Sequence, residues 1–592
     1  MNLIMKRIPF YIFTILLFWS CSKNQEISGS MYSINMDNYI KQFCNNDDSK
    51  AKEKLIKLHY VELNQVINFY KNRNYKSVWI NEQTTTPLFN VALSLLRSSM
   101  CFGLDTTMYA TRVIARASQH LSERDFVSAK NINKVAIEML TTHSLILFLN
   151  HLQAGIFRPD SAIYDNMIIP KTDSIPYYLE KSIQMKDFSI AVKALSPKNP
   201  HYIEIQKALT AYLAIANITN DKYPVPYFAQ DSSGCKKGAE KMLIVHGYLK
   251  KDVSQPIEKK ELVTALVKFQ TDFGLRNRGF FDTLTVETLR NSTFDLYRKA
   301  CITLQRIRWS NITDKNYLLV NIPSFSVQIV EENEIAITHK IVCGKPDHET
   351  PELNSRISHF VLYPEWNVPH KISTKELLPL IQANPKYLEK HNYEIINGKN
   401  EVVDPSKIRW KRFNEKNFPY RIRQSSGEGN SLGIIKFYFN NQYGVYLHDT
   451  PSKALFNLNY RAFSHGCMRV QNPFEFAKTL LEYNKGMLHF SKEKLMEMNR
   501  YEQQRKFDKY RKDVKSKKLQ EEMMEVKKMN QDVLDVKKST FFISRLLPIY
   551  IRYFTSYVND KKKLQFYPDL YHKDISLIDS FNKAVKSFIL VN

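Results

Sequence analysis

The sequence predicts an α+β protein of several domains, in which a helical region precedes a β-rich region. From residue 32 to about residue 230, apolar residues recur at intervals of three and four, which is the periodicity of amphipathic helices. Beyond residue 311, short runs alternate apolar and polar residues between turns, as half-buried β-strands do. A length of 592 residues is enough for three or four domains that each bury a core of ordinary size.

The N-terminus has the features of a secretion signal that ends at a cysteine. A basic start precedes an apolar run over 8–19, and a small residue stands directly before Cys21. This order predicts a signal peptide over 1–20, lipidation of Cys21 and a polar tether over 21–31. A plain signal peptide and an uncleaved anchor are the alternatives. No later segment is expected to reach the eighteen or so apolar residues that a membrane span needs.

Two regions are predicted between the tether and the β-rich region. Residues 32–230 form a mainly helical scaffold domain, whose strongest helical pattern runs over 132–152. Residues 231–291 form a small module of three helices, with Phe269 and Leu289 facing its core. Neither region contains a group of residues that suggests catalysis.

The net charge and the cysteine content limit the kinds of partner and of site that the sequence predicts. The net charge of +26 favours acidic partners. The sequence shows no recognised nucleic-acid module, so nucleic acid is not an expected partner, and anionic polymers of the cell envelope fit the secretion signal better. The seven cysteines form no C-x-x-C pair and no regular spacing, so neither a metal site nor a disulfide framework is predicted.

The strongest chemical pattern lies between Tyr446 and Val470. His448 precedes Cys467 by nineteen residues, and the cysteine stands inside the string Ser464-His465-Gly466-Cys467-Met468-Arg469. A thiol attacks as the thiolate, so a catalytic cysteine needs a base and a positive field nearby. Two histidines and an arginine supply both. A buried structural cysteine is the plain alternative, and one cysteine with two histidines makes a poor structural zinc site.

A histidine followed by S-H-G-C and an arginine two residues on resembles the signature of YkuD-type L,D-transpeptidases. The strings Y-P-E-W-N-V-P, N-S-L-G-I-I-K-F and Y-L-H-D-T-P-S-K-A-L-F resemble the YcbB-like subgroup of these enzymes. The resemblance implies a β-rich catalytic domain over 302–582, with a helical lid over 371–430 and a charged helical insertion over 492–538. Residues 231–291 also resemble a peptidoglycan-binding module.

The resemblance implies a role for each residue of the motif. Cys467 would be the nucleophile, His448 the general base, and Tyr446 a neighbour of the donor carbonyl. The remaining residues, which would support the loop and the oxyanion, are Gly466, His465, Ser464 and Arg469. Such enzymes cut a tetrapeptide stem of peptidoglycan after its third residue through a cysteine thioester, pass the acyl group to the amine of another stem, and are acylated by carbapenems. They need no metal or organic cofactor.

Two alternatives remain open at this point. An L,D-carboxypeptidase of the same fold would let water resolve the thioester. A non-catalytic lipoprotein that anchors the envelope could be built on the same fold, although the intact motif argues against it. The expected partners are peptidoglycan stem peptides and a membrane that holds the lipid on Cys21. The expected location is therefore the periplasmic side of the cell envelope.

Overall fold

The computed structural model describes the residues 36–45, 60–81, 84–120, 131–157, 174–250, 257–310, 312–427, 429–483, 540–559 and 561–589. The predicted signal peptide, Cys21 and the tether lie outside these residues, and so does the predicted insertion over 492–538. Five cysteines of the described residues form no disulfide bond: Cys101, Cys235, Cys301, Cys343 and Cys467.

Helices build the first half of the chain. They are α1 (Met36–Asn45), α2 (Tyr60–Asn72), α3 (Pro87–Arg97), α4 (Thr111–His120), α5 (Asn131–Ala154), α6 (Ser174–Met185), α7 (Ser189–Leu195) and α8 (Pro200–Ile215), with 3-10 turns at Ser98–Phe102 and Thr106–Tyr109. Helix α5 lies at the centre, where it contacts α1 to α4, α6 and α7. The predicted helical region is thus confirmed.

Helix α5 corrects the expectation that no later segment is apolar enough to cross a membrane. The stretch Lys134–Ala154 has a mean hydropathy of 1.3 and passes that test by length and composition. However, 83% of its apolar window is buried inside the protein. A helix that is surrounded by other helices needs apolar residues on every face, so α5 is explained as a core helix.

Three helices follow within residues 231–291. They are α9 (Ser232–Val245), α10 (Lys259–Asp272) and α11 (Thr283–Leu289). Aspartate side chains cap the N-termini of two of these helices. Asp231 accepts a hydrogen bond from the Gly234 N–H at 2.8 Å, and Asp282 accepts one from the Thr285 N–H at 2.8 Å. Apolar side chains including Phe269 pack between the helices, with no exposed surface at Phe269. A longer helix, α12 (Thr293–Ser310), leads on to the β-rich region.

The strands of the β-rich region are β1 (Tyr317–Asn321), β2 (Ser326–Glu331), β3 (Glu334–Gly344), β4 (Leu353–Leu362), β5 (Trp366–Asn367), β6 (Tyr393–Ile396), β7 (Val402–Val403), β8 (Arg421–Gln424), β9 (Ile435–Phe439), β10 (Leu447–His448), β11 (Ala462–Ser464), β12 (Met468–Val470), β13 (Thr540–Arg552), β14 (Ser556–Val558) and β15 (Leu564–Phe566). Nine of them form one sheet in the order β11-β3-β12-β10-β9-β4-β13-β1-β2. Strand β2 also pairs with β3, which closes the sheet on itself. The predicted order of a helical region and then a β-rich region is confirmed.

A small subdomain is inserted between β4 and β9, and we call residues 366–424 the inserted subdomain. It contains α13 (His370–Ile372), a π turn (Ser373–Leu377), α14 (Leu378–Ala383) and α15 (Tyr387–Lys390), together with a four-stranded sheet in the order β5-β8-β6-β7. Its own apolar core includes Ile381, Ile395 and Ile422. The sequence predicts a helical lid over 371–430, so the sheet is a correction. Strands of two to four residues are too short to show a reliable alternation of apolar and polar residues.

Helix α12 joins the helical region to the β-rich one. The last two helices that the structure describes are α16 (Pro473–Tyr483) and α17 (Asp574–Ile589). Nearly all side chains of α12 are buried, and α12 contacts α5, α8 and α17. Arg306 of α12 and Asp574 of α17 form an ion pair of 2.5 Å, with each side chain only 2% exposed. Leu319 and Val330 of the closed sheet belong to the same apolar core as the helical region. The two regions therefore share one core.

Candidate active site

Three neighbouring strands place the predicted catalytic residues side by side. Strand β10 runs parallel to β12, with His448 opposite Arg469, and antiparallel to β9, with His448 opposite Lys436. Side chains alternate between the two faces of a strand. Leu447 and Met468 have no exposed surface and point into the core. Their neighbours His448, Lys436 and Arg469 consequently gather on the outer face of the sheet.

A short loop before β12 carries Cys467. Gly466 has a φ of +107°, and a Cβ at this position would lie 3.2 Å from the carbonyl oxygen of Glu349, so a side chain here would be strained. The Gly466 carbonyl accepts a hydrogen bond from the Thr350 hydroxyl at 2.8 Å. The Cys467 carbonyl accepts one from the Ser464 hydroxyl at 2.6 Å. These contacts fix the loop around the thiol.

The Cys467 thiol holds its proton in the structure as it stands. Burial raises the pKa of this thiol above its ordinary value. Hydrogen bonds with Tyr446 and the positive charges of Lys436 and Arg469 oppose the rise without cancelling it. The sequence predicts a positive field that favours the thiolate, and the structure adds the larger, opposite effect of burial.

His448 is buried and neutral. Its Nδ1 donates a hydrogen bond to the carbonyl oxygen of Asp449, since a carbonyl oxygen can only accept. Nε2 therefore carries the lone pair of the neutral ring. Burial, followed by the charge of Arg469, lowers the pKa of His448 to about 3. The imidazole is thus unprotonated at neutral pH, with the Nε2 lone pair available as a hydrogen-bond acceptor.

Lys436 is a residue of this site that the sequence analysis missed. Its Nζ lies 3.8 Å from the ring centroid of Tyr446 and 4.4 Å from that of Tyr438. Burial lowers the pKa of Lys436 to about 8, and the nearby Cys467 raises it again in part. The only sign in the sequence is a lysine inside an otherwise apolar strand, I-I-K-F-Y-F.

Tyr446 connects the thiol with the inserted subdomain. Its ring lies 5.6 Å from the His448 ring, centroid to centroid. Burial and the neighbouring Cys467 raise the pKa of the Tyr446 hydroxyl, while a hydrogen bond with the Trp366 side chain of β5 opposes that rise. Trp366 also escaped the sequence analysis, because its position over the site depends on the fold of the inserted subdomain.

His465 points towards the inserted subdomain. Its Nε2 lies 2.7 Å from Oε1 of Glu376, which belongs to the π turn. The His465 side chain is exposed, and its ring lies 4.9 Å from that of His348. This histidine therefore links the loop of Cys467 to Glu376.

Arg469 adds a second cation on the same face as Lys436. Its Nε is buried without a hydrogen-bond partner. Burial lowers the pKa of its guanidinium, and Cys467 raises it in part. An unpaired donor beside the thiol can bind a negative charge that develops there. Within the ranges that the structure describes, no group of three or more His, Cys, Asp or Glu side chains is arranged to hold a metal ion.

Comparison with known protein families agrees with this geometry. Residues 315–487 match the family model of the YkuD L,D-transpeptidase catalytic domain. The matched residues include Lys436, His448 and Cys467. The match supports a peptidoglycan-related transpeptidase function for this L,D-transpeptidase-type domain, and enzymes that act on peptidoglycan work in the cell envelope. Residues 64–209 match a second family model, described as a scaffold domain.

One relative extends the comparison with the L,D-transpeptidase-type domain. A Haemophilus influenzae protein named “Putative L,D-transpeptidase” is 37% identical over 189 residues, which are 32% of this chain and 38% of that protein. The aligned part thus spans less than half the length of the relative. The family match and this relative agree on the class of the catalytic domain.

Proposed function

We propose that the protein is a cysteine L,D-transpeptidase of the YcbB-like subgroup, which forms peptidoglycan cross-links through a thioester on Cys467. The donor is a tetrapeptide stem that is cut after its third residue, and the acceptor is the side-chain amine of another stem. The observation that carries this proposal is the gathering of Cys467, His448 and two cations on one face of three neighbouring strands.

Acylation starts from a neutral Cys467 thiol and a neutral His448 imidazole. As the thiol attacks the donor carbonyl, Nε2 of His448 takes the proton, and the hydrogen bond from Nδ1 to the Asp449 carbonyl stabilises the imidazolium that forms. Lys436 and Arg469 stabilise the negative charge that develops on the sulfur and the substrate. The backbone N–H group of Cys467 is the candidate donor to the oxyanion, because the Gly466 N–H donates to the Ser464 hydroxyl at 3.3 Å.

The thioester forms when the tetrahedral intermediate expels D-alanine. The imidazolium of His448 gives its proton to the leaving amine, which restores the neutral ring. The acceptor amine then attacks the thioester and transfers its proton to His448, and the imidazolium passes that proton to the departing sulfur, which restores the Cys467 thiol and the neutral ring. If water takes the place of the amine, the same residues catalyse the L,D-carboxypeptidase reaction.

The test combines mass spectrometry of the protein and of its products. Purified protein with a disaccharide-tetrapeptide donor should show an acyl-enzyme that lacks D-alanine, and cross-linked dimers should appear among the products. Cys467→Ala should abolish both, while a thermal melt close to that of the wild type shows that the fold is intact. Undiminished acyl adduct on the alanine variant would overturn the assignment, and tripeptide without dimers would favour the carboxypeptidase.

We also propose that Cys21 carries a lipid that anchors the protein to a membrane on the periplasmic side. The support is the apolar run over 8–19 that ends at Ser20-Cys21. The mature protein should partition into detergent and begin with a lipid-modified Cys21, and Cys21→Ser should release it into the aqueous phase. A mature protein that starts at another residue would contradict this proposal.

A further inference from the structure

A row of ring side chains leads away from the site along the outer face of the closed sheet. Phe542 of β13 pairs with His359 of β4, and His359 pairs with Tyr438 of β9. The ring centroids are 5.4 Å apart between Phe542 and His359, and 4.5 Å apart between His359 and Tyr438. The latter two rings are nearly parallel, at 8°. We call these three residues the aromatic row.

The aromatic row is continuous with the catalytic residues. Lys436 lies two residues before Tyr438 on β9 and therefore faces the same side of the sheet. Its Nζ lies over the rings of both Tyr438 and Tyr446. Tyr446 in turn adjoins Cys467. The row and the thiol are thus parts of one surface.

The far end of the row is open to solvent. Phe542 is 71% exposed, whereas its chain neighbour Phe541 is 9% exposed and stacks on Phe360 in the core, with centroids 5.0 Å apart. Packing in the core therefore explains an aromatic side chain at Phe541, but it does not explain one at Phe542. A large exposed aromatic side chain at the end of a stacked row is typical of a binding surface.

Distance along the sheet indicates what the row meets. Strands β10, β9 and β4 lie between β12, which follows Cys467, and β13, which carries Phe542. At about 4.8 Å per strand, the thiol and Phe542 are roughly 19 Å apart. A stem that is cut after its third residue extends about 10 Å from the acyl carbon to its first residue, at about 3.3 Å per residue. A stem that runs from the thiol along the aromatic row would bring the sugar that carries it over Tyr438, His359 and Phe542.

We propose that the aromatic row binds the sugar of the glycan strand that carries the donor stem. Sugar rings present C–H groups on their faces, which pack favourably on the electron-rich faces of aromatic rings, while their hydroxyls stay in water at the ring edges. Phe542 is the outermost residue of this subsite and a specificity residue for glycan-attached donors. The inference rests on the proposed function, because the length of the stem places the sugar.

Acylation with two donors tests the subsite. Wild-type protein should be acylated by a disaccharide-tetrapeptide with a higher kcat/KM than by the free tetrapeptide. Phe542→Ala should lower kcat/KM for the disaccharide-tetrapeptide about tenfold and leave the free tetrapeptide unchanged. Tyr177→Ala is the control, since Tyr177 is also largely exposed, at 60%, but lies in α6 of the helical region. It should change neither value.

Binding to a catalytically inactive protein separates this inference from the proposed function. In the Cys467→Ala background, the disaccharide without a stem should bind, and adding Phe542→Ala should weaken that binding in a calorimetric titration. This result supports the row even if neither donor acylates the wild type, an outcome that would overturn the proposed function alone. Four results for Phe542→Ala would overturn the proposed sugar subsite. They are an equal loss of kcat/KM with both donors, no loss with either donor, a defect confined to transfer to the acceptor, and a change of oligomeric state with unchanged kinetics.

Discussion

The proton on Cys467 and the lone pair on His448 set how acylation responds to pH. A free imidazole has a pKa near 6.5, but burial holds that of His448 at about 3. Because the pKa is lowered, the ring stays neutral as the pH falls through 6.5 and becomes charged only near 3. A raised pKa keeps the thiol protonated over the same range. The reacting pair is therefore the same at mildly acidic and neutral pH.

The first prediction is a flat acylation profile. The rate of acyl-enzyme formation by intact-mass measurement should change by less than about twofold between about pH 5 and about pH 7. His448→Ala should lower the rate about 10²–10⁴-fold across this range. A half-maximal point near pH 6.5 in the wild type would show that the ring titrates as a free imidazole and would contradict the neutral pair.

The second prediction concerns the cation that the sequence analysis missed. Lys436→Met removes a positive charge that lowers the pKa of the Cys467 thiol, so acylation should slow about tenfold. Lys436→Arg keeps the charge. Since the pKa of Lys436 is about 8, the wild type loses the charge as the pH rises through that value, and the arginine variant does not.

The comparison is made from about pH 6 to about pH 9, with thermal melting of each variant as the control for folding. The arginine variant should acylate near the wild-type rate at pH 7 and keep its rate above pH 8 better than the wild type does. A well-folded methionine variant that acylates at the wild-type rate would remove Lys436 from the mechanism.

Among the elements of the fold, the inserted subdomain contacts the loop of Cys467 through a hydrogen bond. Glu376 of the π turn meets His465, two residues before Cys467, and both side chains are partly exposed. An exposed contact of this kind contributes about 0–1 kcal/mol to stability. Its expected effect is therefore on the position of the subdomain over the thioester rather than on folding.

The third prediction is a change in the fate of the thioester. Glu376→Ala should leave the melting temperature unchanged and raise the ratio of hydrolysis to transfer, because a subdomain that closes less well admits more water. Glu415→Ala is the matched control, as it removes another exposed ion pair of the same subdomain, with Lys375 at 3.3 Å. Mass spectrometry of tripeptide and dimer products gives the ratio. An equal change in both variants would contradict a specific role for Glu376.

Elements also show where prediction from sequence succeeds and where it fails. The long helical pattern over 132–152 predicts α5. The β-rich stretch over 317–330 predicts one strand, which the structure divides into β1 and β2. Strands β5 and β7 have two residues each and show no period, and β5 pairs with β8 at the opposite end of the subdomain. The sheet of the inserted subdomain could not be predicted for this reason.

The residues of the candidate site also divide into those that the sequence predicts and those that it does not. Residues within the S-H-G-C string could be predicted because the chain itself brings them together. Lys436 and Phe542 join the site surface only through the pairing of β9 with β10 and of β13 with β4. A local pattern shows that such residues face outward, but it does not show what lies beside them.

For the whole molecule, the buried pair of Arg306 and Asp574 joins the helix between the two regions to the last helix. Arg306 also donates to the Lys573 carbonyl at 3.0 Å, and Asp574 accepts from the Thr555 hydroxyl at 2.6 Å. Removing one partner of a buried ion pair leaves the other charge desolvated and unpaired, which costs about 3–5 kcal/mol. The helical and β-rich regions share one core, so this loss of stability affects both regions.

The fourth prediction is a loss of stability of that size for Arg306→Ala, in a single denaturant transition that is seen both by helical circular dichroism and by acylation activity. Lys562→Ala is the control, because its partner Glu204 is 27% exposed and Lys562 itself 71% exposed, and it should cost at most about 1 kcal/mol. If Arg306→Ala does not fold, Asp574→Asn, which keeps the shape of the site, provides the measurement. Two separate transitions would contradict the shared core.

The position of β13 has a practical consequence for anyone who expresses part of this chain. The residues that match the catalytic family end at 487, yet β13 begins at Thr540 and lies in the middle of the closed sheet, between β4 and β1. A fragment cut at 487 would leave two strands with unpaired backbone N–H and C=O groups along facing edges. Such edges recruit strands from other molecules. A fragment that ends at residue 487 should therefore collect in inclusion bodies, whereas one that continues beyond Arg552 keeps the sheet closed.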